Sequence, residues 1–507
     1  MRCALMVMLI SGCTRAIPLV GSDADLGVDG SIGQDASGND ALPCGQDPSA
    51  DVHNCGSCGH DCTAELGSSA ICKSGQCSST TCKDSEVVCS GKCVDLKNDA
   101  RNCGDCGNRC SQECVEGKCV SAPPKIDLLF MIDNSRSMAP KQERLRAMFP
   151  AIMKDLNGRN AAVSYHIGVV TSDLAAGPLT SMGGGSAPSG TSGCRMNGGV
   201  RGDGARLVNV GAAADPSCKR INGANYIDFD ALHPANSNLP NGQDLTTTFD
   251  CMASVGETGC GMEHQLEAVY QALGPNAPSD NAGFLRNQAL LVVVFVTDED
   301  DCSAPDNTDL YAQDGYTLAD GKKAFDELGY YHSFRCTEWG IKCNGKKVPR
   351  DQMMAMSGCQ PLTQAEGGKL YDVDRYIDFF TQSTGVKSKP NQVVLASIAG
   401  PADQVETLFT SCDRQSGAYS VSQACHSPAQ LNDNQCMANG APNQMCSVVL
   451  QHACQPDDAT RFGDPAVRIS KVVRSLSSNS VEASICDDDN STFVSSLGRT
   501  ISSNVGQ

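Results

Sequence analysis

Acidic and hydroxyl side chains follow two of the most hydrophobic segments of the chain. The apolar run Ile126 to Ile132 leads into the string Asp133-Asn134-Ser135-Arg136-Ser137, and the run Leu290 to Val296 leads into Thr297-Asp298. Carboxylate and hydroxyl oxygens are hard ligands of the kind that Mg²⁺ binds in near-octahedral geometry, often with water retained. The two segments are therefore candidates for a divalent-cation site.

The elements around these segments predict an α/β fold with a doubly wound, mostly parallel sheet and helices on both faces. Strands buried on both faces read as unbroken apolar runs, and helices show apolar residues three and four positions apart. Ligands bind beyond the carboxyl ends of such strands, so we expect Asp133 and Asp298 to converge there, on adjacent or nearly adjacent strands. The predicted strands are Ile126–Ile132, Val163–Val170, an antiparallel edge at Tyr226–Phe229, Leu290–Val296, Val393–Ile398 and Val481–Ile485. The predicted helices lie around Leu145–Leu156, Met262–Leu273, Tyr376–Phe380, Val467–Leu476 and Phe493–Ile501.

The first string resembles the Asp-x-Ser-x-Ser element of the metal-ion-dependent adhesion site of the von Willebrand factor type A (vWA) family. Asp298 resembles the aspartate of that family's Thr-Asp loop. The resemblance covers residues 125–505, interrupted by long insertions, and implies that Asp133, Ser135, Ser137 and Asp298 surround the metal. The family also contributes a threonine from the loop before the third helix. Thr258 is the best-placed candidate, with Thr246, Thr247 and Thr248 as competitors.

The resemblance implies a binding module rather than an enzyme. A cation such as Mg²⁺, Ca²⁺ or Mn²⁺ that is held by two hydroxyls and few carboxylates keeps positive charge, and in the family an acidic side chain of a protein partner completes its coordination. Two alternatives remain open. Asp133 and Ser135 could cap the first helix in a structural, metal-free vWA domain, or a hydrolytic site using Glu257, Glu263 or His332 could lie in the insertions.

The 30 cysteines indicate an oxidising compartment, because thiols are kept reduced in the cytosol. Apart from Cys3 and Cys13 they form two even blocks, 14 between Cys44 and Cys119 and 14 between Cys194 and Cys486. Even numbers permit complete disulfide pairing within each block. Most of the second block lies in three predicted insertions, residues 173–224, 301–370 and 401–464, which disulfides would restrain.

The N-terminal region predicts export and anchoring. Ala4 to Ile10 is apolar, and Ile10-Ser11-Gly12-Cys13 resembles a bacterial lipoprotein signal-peptidase box, which implies a signal peptide at 1–13 and lipidation of Cys13. Residues 14–43 are rich in Asp, Gly and Ser, as in a flexible linker. We therefore expect an extracytoplasmic protein attached to a membrane of the cell envelope. A net charge of −19 argues against a nucleic-acid partner.

Residues 44–120 contain an internal repeat, in which Asn54 to Cys62 matches Asn102 to Cys110. So few apolar residues cannot build a core, and disulfides are the predicted replacement. Zinc binding by the Cys-x2-Cys pairs is the alternative. The repeats and the insertions together resemble those of large cysteine-rich myxobacterial lipoproteins.

Overall fold

The chain divides into two compact units, residues 1–121 and 122–507. The computed structural model describes residues 47–505 except 80–81, 84, 90–91, 112, 121–122, 161, 177–195, 198–199, 306–307, 313–314, 330, 351, 414–418, 422–443 and 457–459. Cys13 and the predicted linker 14–43 lie outside the described residues. Within the described ranges, no helix has both the length and the apolar character needed to cross a membrane.

The cysteine-rich unit contains two copies of one disulfide-bonded module. Cys55 bonds Cys72 and Cys62 bonds Cys77, and the equivalent bonds of the second copy are Cys103–Cys114 and Cys110–Cys119. Cys58 and Cys106, at the middle of each cysteine string, are disulfide-bonded as well. These bonds confirm the disulfide interpretation over zinc ligation. The regular elements are helix Cys62–Leu66 and the hairpins Ala70–Lys73/Gln76–Ser79, Val87–Cys89/Lys92–Val94 and Glu113–Val115/Lys118–Val120.

A glycine is required at the same point of both copies. Gly56 has φ 74°, and a Cβ there would lie 2.4 Å from the carbonyl oxygen of Gly75. Gly104, with φ 75°, stands in the same relation to Gly117, at 2.5 Å. Only glycine tolerates both the left-handed backbone and the close approach, so the sequence repeat is also a conformational repeat.

A six-stranded sheet forms the centre of the second unit, as the sequence predicted. Its strands are β1 (Lys125–Ile132), β2 (Ser164–Thr171), β3 (Ile227–Asp230), β4 (Leu290–Val296), β5 (Val393–Ala399) and β6 (Ser480–Ser484). They lie in the order β3-β2-β1-β4-β5-β6, with β3 antiparallel to β2 and all other neighbours parallel. The order of strands reverses between β1 and β4, which makes the end of these two strands the switch point of the sheet.

Helices cover both faces of the sheet. They are α1 (Ala139–Arg159), α2 (Leu245–Ala253), α3 (Gln265–Leu273), α4 (Asp374–Thr381), α5 (Val467–Arg474) and α6 (Ser491–Asn504). Side chains alternate across β1, so Leu128 and Phe130 join α1, α2 and α6 in one core, whereas Leu129 and Met131 join α3, α4 and α5 in the other. Helix α2 was not predicted from the sequence.

Disulfides hold the insertions to the sheet domain and to themselves. The bonds are Cys218–Cys251, Cys302–Cys336, Cys343–Cys359 and Cys454–Cys486, and Cys260 is also disulfide-bonded. So many disulfides indicate an extracytoplasmic protein. The insertions add the helices Ala324–Leu328 and Phe334–Gly340 and the strands Met196–Asn197, Val200–Arg201, Ile341–Cys343, Lys346–Lys347, Ala355–Met356, Cys359–Pro361, Val405–Asp413, Tyr419–Val421 and Gln444–Leu450.

Candidate metal centre

Three neighbouring strands end in register at one edge of the sheet. Ile132 of β1 pairs with Thr171 of β2 on one side and with Val296 of β4 on the other. The next residues of these strands therefore leave the sheet side by side; they are Asp133, Ser172 and Thr297. This edge is the switch point, where open α/β sheets bind their ligands.

Asp133 is fully buried and accepts hydrogen bonds from three groups. Its Oδ1 accepts from the Ser135 N–H at 2.8 Å and the Ser172 hydroxyl at 3.1 Å, and its Oδ2 accepts from the Thr297 hydroxyl at 2.7 Å. Burial and the nearby charge of Asp298 outweigh these bonds and raise the pKa of Asp133 to about 6. The carboxylate is thus rigidly placed in surroundings that penalise its negative charge.

Asp298 and the two serines lie at the same edge. The Ser137 hydroxyl donates to Oδ2 of Asp298 at 2.5 Å. The Oγ of Ser135 and Oδ1 of Asp298 are both buried and have no hydrogen-bond partner in the described part of the chain. Leaving a buried polar atom unpaired costs about 1–3 kcal/mol. Two orphaned hard oxygens in one place, beside the carboxylate of Asp133, fit the donor set of a divalent cation.

The helix-capping alternative for Asp133 and Ser135 is wrong. Helix α1 begins at Ala139, and its N-cap residue, Met138, makes no side-chain cap hydrogen bond. The Ala139 N–H instead donates to Oε1 of Glu257, at 3.1 Å, from the loop that contains Thr258. Asp133 and Ser135 therefore do not cap this helix.

Lys141 is a site residue that the sequence analysis missed. Its Nζ lies 2.5 Å from Oδ2 of Asp298, and both side chains are fully buried. It also donates to the Ser137 carbonyl oxygen at 3.1 Å and lies 3.8 Å from the ring centroid of Phe462. The sequence offered a signal, because Lys141 is the first lysine after the Asp-x-Ser-x-Ser string, four residues beyond Ser137. The positive charge of Lys141 would repel a cation bound at Asp133 and Asp298.

The Thr258 loop lies against the first string. Gln142 Nε2 donates to the Asp133 carbonyl at 2.9 Å and to the Gly256 carbonyl at 2.8 Å, and the Gly259 N–H donates to the Asn134 carbonyl at 2.9 Å. The side chain of Thr258 is exposed, and it makes no hydrogen bond with any described residue. The competing residues Thr246, Thr247 and Thr248 belong to helix α2 rather than to a loop.

Further acidic groups surround the centre. Burial and the charge of Glu299 raise the pKa of Glu263 well above its usual range, and burial and the charge of Asp464 do the same for Glu299. Burial also raises the pKa of Asp464, although a hydrogen bond from His452 opposes this. Glu263 and His332, considered above for hydrolysis, line one cavity, whereas Glu257 lies at the start of α1.

Two other acidic motifs have local structural partners. Asp203, the third residue of an Arg-Gly-Asp string, accepts from the Thr171 hydroxyl at 2.5 Å and from Asn134 Nδ2 at 3.2 Å, so it buttresses the edge of the site. Asp489, in a run of three aspartates, accepts from the Ser491 N–H at 2.8 Å, at the start of helix α6.

Neither a known protein-family model nor a curated protein matches the chain. Assignment of the centre therefore depends on its own chemistry. Ser135, Ser137, Asp133 and Asp298 provide oxygen donors at a switch point, and Lys141 supplies the opposing charge.

Proposed function

We propose that this chain is a metal-ion-dependent binding module of the vWA type, which recognises an acidic side chain of a protein partner through a divalent cation, Mg²⁺ before Ca²⁺ or Mn²⁺. The observation that carries the proposal is the pair of buried, unpartnered oxygens, Oγ of Ser135 and Oδ1 of Asp298, at the carboxyl ends of adjacent strands. The doubly wound, mostly parallel sheet, which the vWA resemblance implies, supports it.

In this proposal Ser135 and Ser137 hold the cation with their hydroxyls, Asp133 and Asp298 hold it directly or through water, and Thr258 contributes from its loop. The bound cation supplies an electrophilic position for the partner's carboxylate. Gln142 fixes the two loops relative to each other through its bonds to Asp133 and Gly256. In this proposal the protein binds its partner through preorganised oxygen ligands of the cation and catalyses no reaction.

The proposed setting is the cell envelope, with lipidation of Cys13 as the anchor and the cysteine-rich modules as a stalk or a second binding surface. The lipobox-like tetrad at Ile10 to Cys13 supports the anchor. The disulfides of both units support an oxidising location.

Thermal and chemical unfolding of the full-length protein with and without divalent cations tests the metal centre. A ligand that binds only the folded state adds about 2.7 kcal/mol at a hundredfold excess over its dissociation constant. We expect Mg²⁺ to stabilise the wild type and to lose this effect in Ser135→Ala. Ser397→Ala, which removes a buried hydroxyl from β5, is the matched control and should keep it. A wild type that Mg²⁺, Ca²⁺ and Mn²⁺ all fail to stabilise would contradict the proposal.

The ion pair between Lys141 and Asp298 favours a second candidate function. An internal ammonium already neutralises one of the two central carboxylates. In that case the domain is a structural envelope protein whose vWA-type fold binds no metal. The same unfolding experiment separates the two candidate functions, because divalent cations should not stabilise a structural domain that binds no metal.

A further inference from the structure

A cavity of about 530 Å³ lies beside the candidate metal centre. Four carboxyl groups line it, from Glu263, Glu299, Asp300 and Asp464, and no lysine or arginine of the described residues does. Gln455, which is exposed, also lines the cavity, so the cavity reaches the surface. Its volume lies within the usual range of small-ligand sites, roughly 300–1,000 Å³.

Asp464 and Asp300 are held by a histidine and by backbone N–H groups, and Glu299 accepts a hydrogen bond from the Ser333 side chain. Asp464 pairs with Nδ1 of His452 at 2.6 Å. Asp300 accepts from the backbone N–H groups of Arg468 and Ile469 at the start of helix α5, at 2.9 and 3.2 Å. These three side chains are held in place by the protein itself.

Glu263 is different, because its side chain is buried and forms no ion pair with any described residue. The residue is 1% exposed, it lines the cavity, and its Oε1 has no hydrogen-bond partner in the described part of the chain. The buried basic side chains Lys141 and Arg468 pair with other carboxylates, Asp298 and Asp301. A buried carboxyl group without a counter-charge is costly in its ionised form, and a cationic ligand would stabilise that form.

Another part of the cavity wall is apolar. Leu408 and Val449 are directly paired on two antiparallel strands, so their side chains lie on the same face of that sheet. Both line the cavity, together with Leu450 and Phe334. The cavity wall therefore combines a group of carboxyl side chains with a hydrophobic part.

We propose that this cavity binds an alkylammonium group, with the ammonium against Glu263 and Glu299 and the aliphatic stem along Leu408 and Val449. An ammonium carries three donors and no acceptor, which suits a wall of carboxylates, and an aliphatic stem buries apolar surface against the other wall. The group is either a lysine side chain of a protein partner or a free alkylamine. This inference does not depend on the proposed metal centre.

The spacing of the acidic groups favours an organic cation over a single metal ion. In the described part of the chain, the His, Cys, Asp and Glu triplets whose ligand atoms all lie within 4.8 Å of one another are in the cysteine-rich unit. The carboxyl and imidazole groups of the cavity form no such triplet, so no three of them lie close enough to share one ion as placed.

Isothermal titration calorimetry of the full-length protein in EDTA tests the proposal, with pentylammonium as the ligand and 1-pentanol as its uncharged analogue. We expect pentylammonium to bind at least tenfold more tightly than pentanol. Across methyl-, propyl- and pentylammonium, affinity should rise about fourfold per buried methylene. Glu263→Gln should lower pentylammonium affinity at least tenfold. Glu406→Gln, the same change at an exposed position on the strand of Leu408, is the matched control and should not alter it.

The folded state of Glu263→Gln is checked by its thermal unfolding, and Leu408→Ser provides a second variant, which should flatten the chain-length series. Nα-acetyl-lysine N-methylamide distinguishes the two sources. Binding of this amide indicates a lysine side chain, and binding of pentylammonium alone indicates a free amine. Equal binding of pentanol or no effect of Glu263→Gln would overturn the proposal. So would a separate titration without EDTA in which Glu263 is required for Zn²⁺ or Ca²⁺ binding while no amine binds.

Discussion

The ammonium of Lys141 lies 2.5 Å from Oδ2 of Asp298, and neither side chain is exposed to solvent. A buried ion pair of this kind gives little net stability, but the loss of one partner is strongly destabilising because the other is left charged and buried. In the proposed metal centre, Lys141 and the cation compete for the same carboxylate. If the proposed centre binds a cation, the ion pair should therefore lower its affinity for metal.

Lys141→Met should separate the role of Lys141 in stabilising the fold from its competition with a bound cation. Without divalent cations the variant leaves Asp298 unpaired, and we expect a loss of about 3–5 kcal/mol of unfolding free energy. With excess Mg²⁺ most of this loss should be recovered, and the affinity for Mg²⁺ should exceed that of the wild type. Urea unfolding in EDTA and in Mg²⁺ measures both effects. Lys154→Met, at an exposed position of the same helix, is the control, and it should stay within about 0.5 kcal/mol of the wild type. An equal loss in EDTA and in Mg²⁺ would instead assign Lys141 to a purely structural ion pair.

The raised pKa of Asp133 predicts that the stability of the protein depends on pH, with opposite signs in the absence and presence of bound metal. Its pKa is raised from 3.8 to about 6 in the folded protein, so the folded chain holds this proton more firmly than the unfolded chain. In EDTA, Asp133 therefore removes stability as pH rises from about 4 to above 6, by up to about 3 kcal/mol. Asp133→Asn cannot ionise, and its stability relative to the wild type should increase over that range.

Urea unfolding at pH 4, 5, 6 and 7 measures this difference between Asp133→Asn and the wild type. In excess Mg²⁺ the trend should reverse, because a cation favours the ionised carboxylate and stabilises only the wild type as pH rises. Asp326→Asn, at an exposed position, should show no trend in either condition. A rising difference in EDTA that Mg²⁺ leaves unchanged would argue against a cation at Asp133.

Apolar periodicity was enough to predict the sheet but not every helix. The six strands were found because β1, β2, β4 and β5 are buried on both faces, which leaves long apolar runs in the sequence. Helix α2 was missed because Thr246 to Thr248 are β-branched residues with low helix propensity. Asp244, which caps that helix by accepting from the Thr247 N–H at 2.7 Å, was the available signal.

The convergence of Asp133 and Asp298 was predictable, whereas their polar surroundings were only partly so. Adjacent parallel strands bring the two residues together, and the same rule applied to β2 would have added Ser172. Asp464 comes from an insertion without periodic apolar residues, and its N–H reaches the Asp298 carbonyl at 2.7 Å only through the fold. Sequence patterns identify strand ends better than they identify what long insertions place over them.

The proposed anchor at Cys13 predicts covalent lipidation. Metabolic labelling with a fatty acid should mark the wild type in a bacterial host and should not mark Cys13→Ser, because the thiol of that residue is the attachment point in lipoproteins. Cys3→Ser is the matched control, since it removes a cysteine from the same segment, and it should be labelled normally. Equal labelling of Cys13→Ser and the wild type would remove the anchor from the proposal.

Thr258 provides the sharpest test of the vWA resemblance, because it was assigned by that resemblance and its side chain is exposed in the structure. The loop is held against the Asp133 segment by the bond from the Gly259 N–H to the Asn134 carbonyl. If Thr258 is a ligand or positions one, Thr258→Ala should weaken Mg²⁺ binding by about tenfold, a free-energy change of about 1.4 kcal/mol. The stability of the protein in EDTA should not change, because the side chain makes no hydrogen bond with any described residue.

Calorimetric titration with Mg²⁺ measures the affinity, and Thr246→Ala, at an exposed position in helix α2, controls for the loss of a threonine hydroxyl. Equal Mg²⁺ affinity of Thr258→Ala and the wild type would exclude Thr258 from the site and leave the two serines and two aspartates as its protein donors.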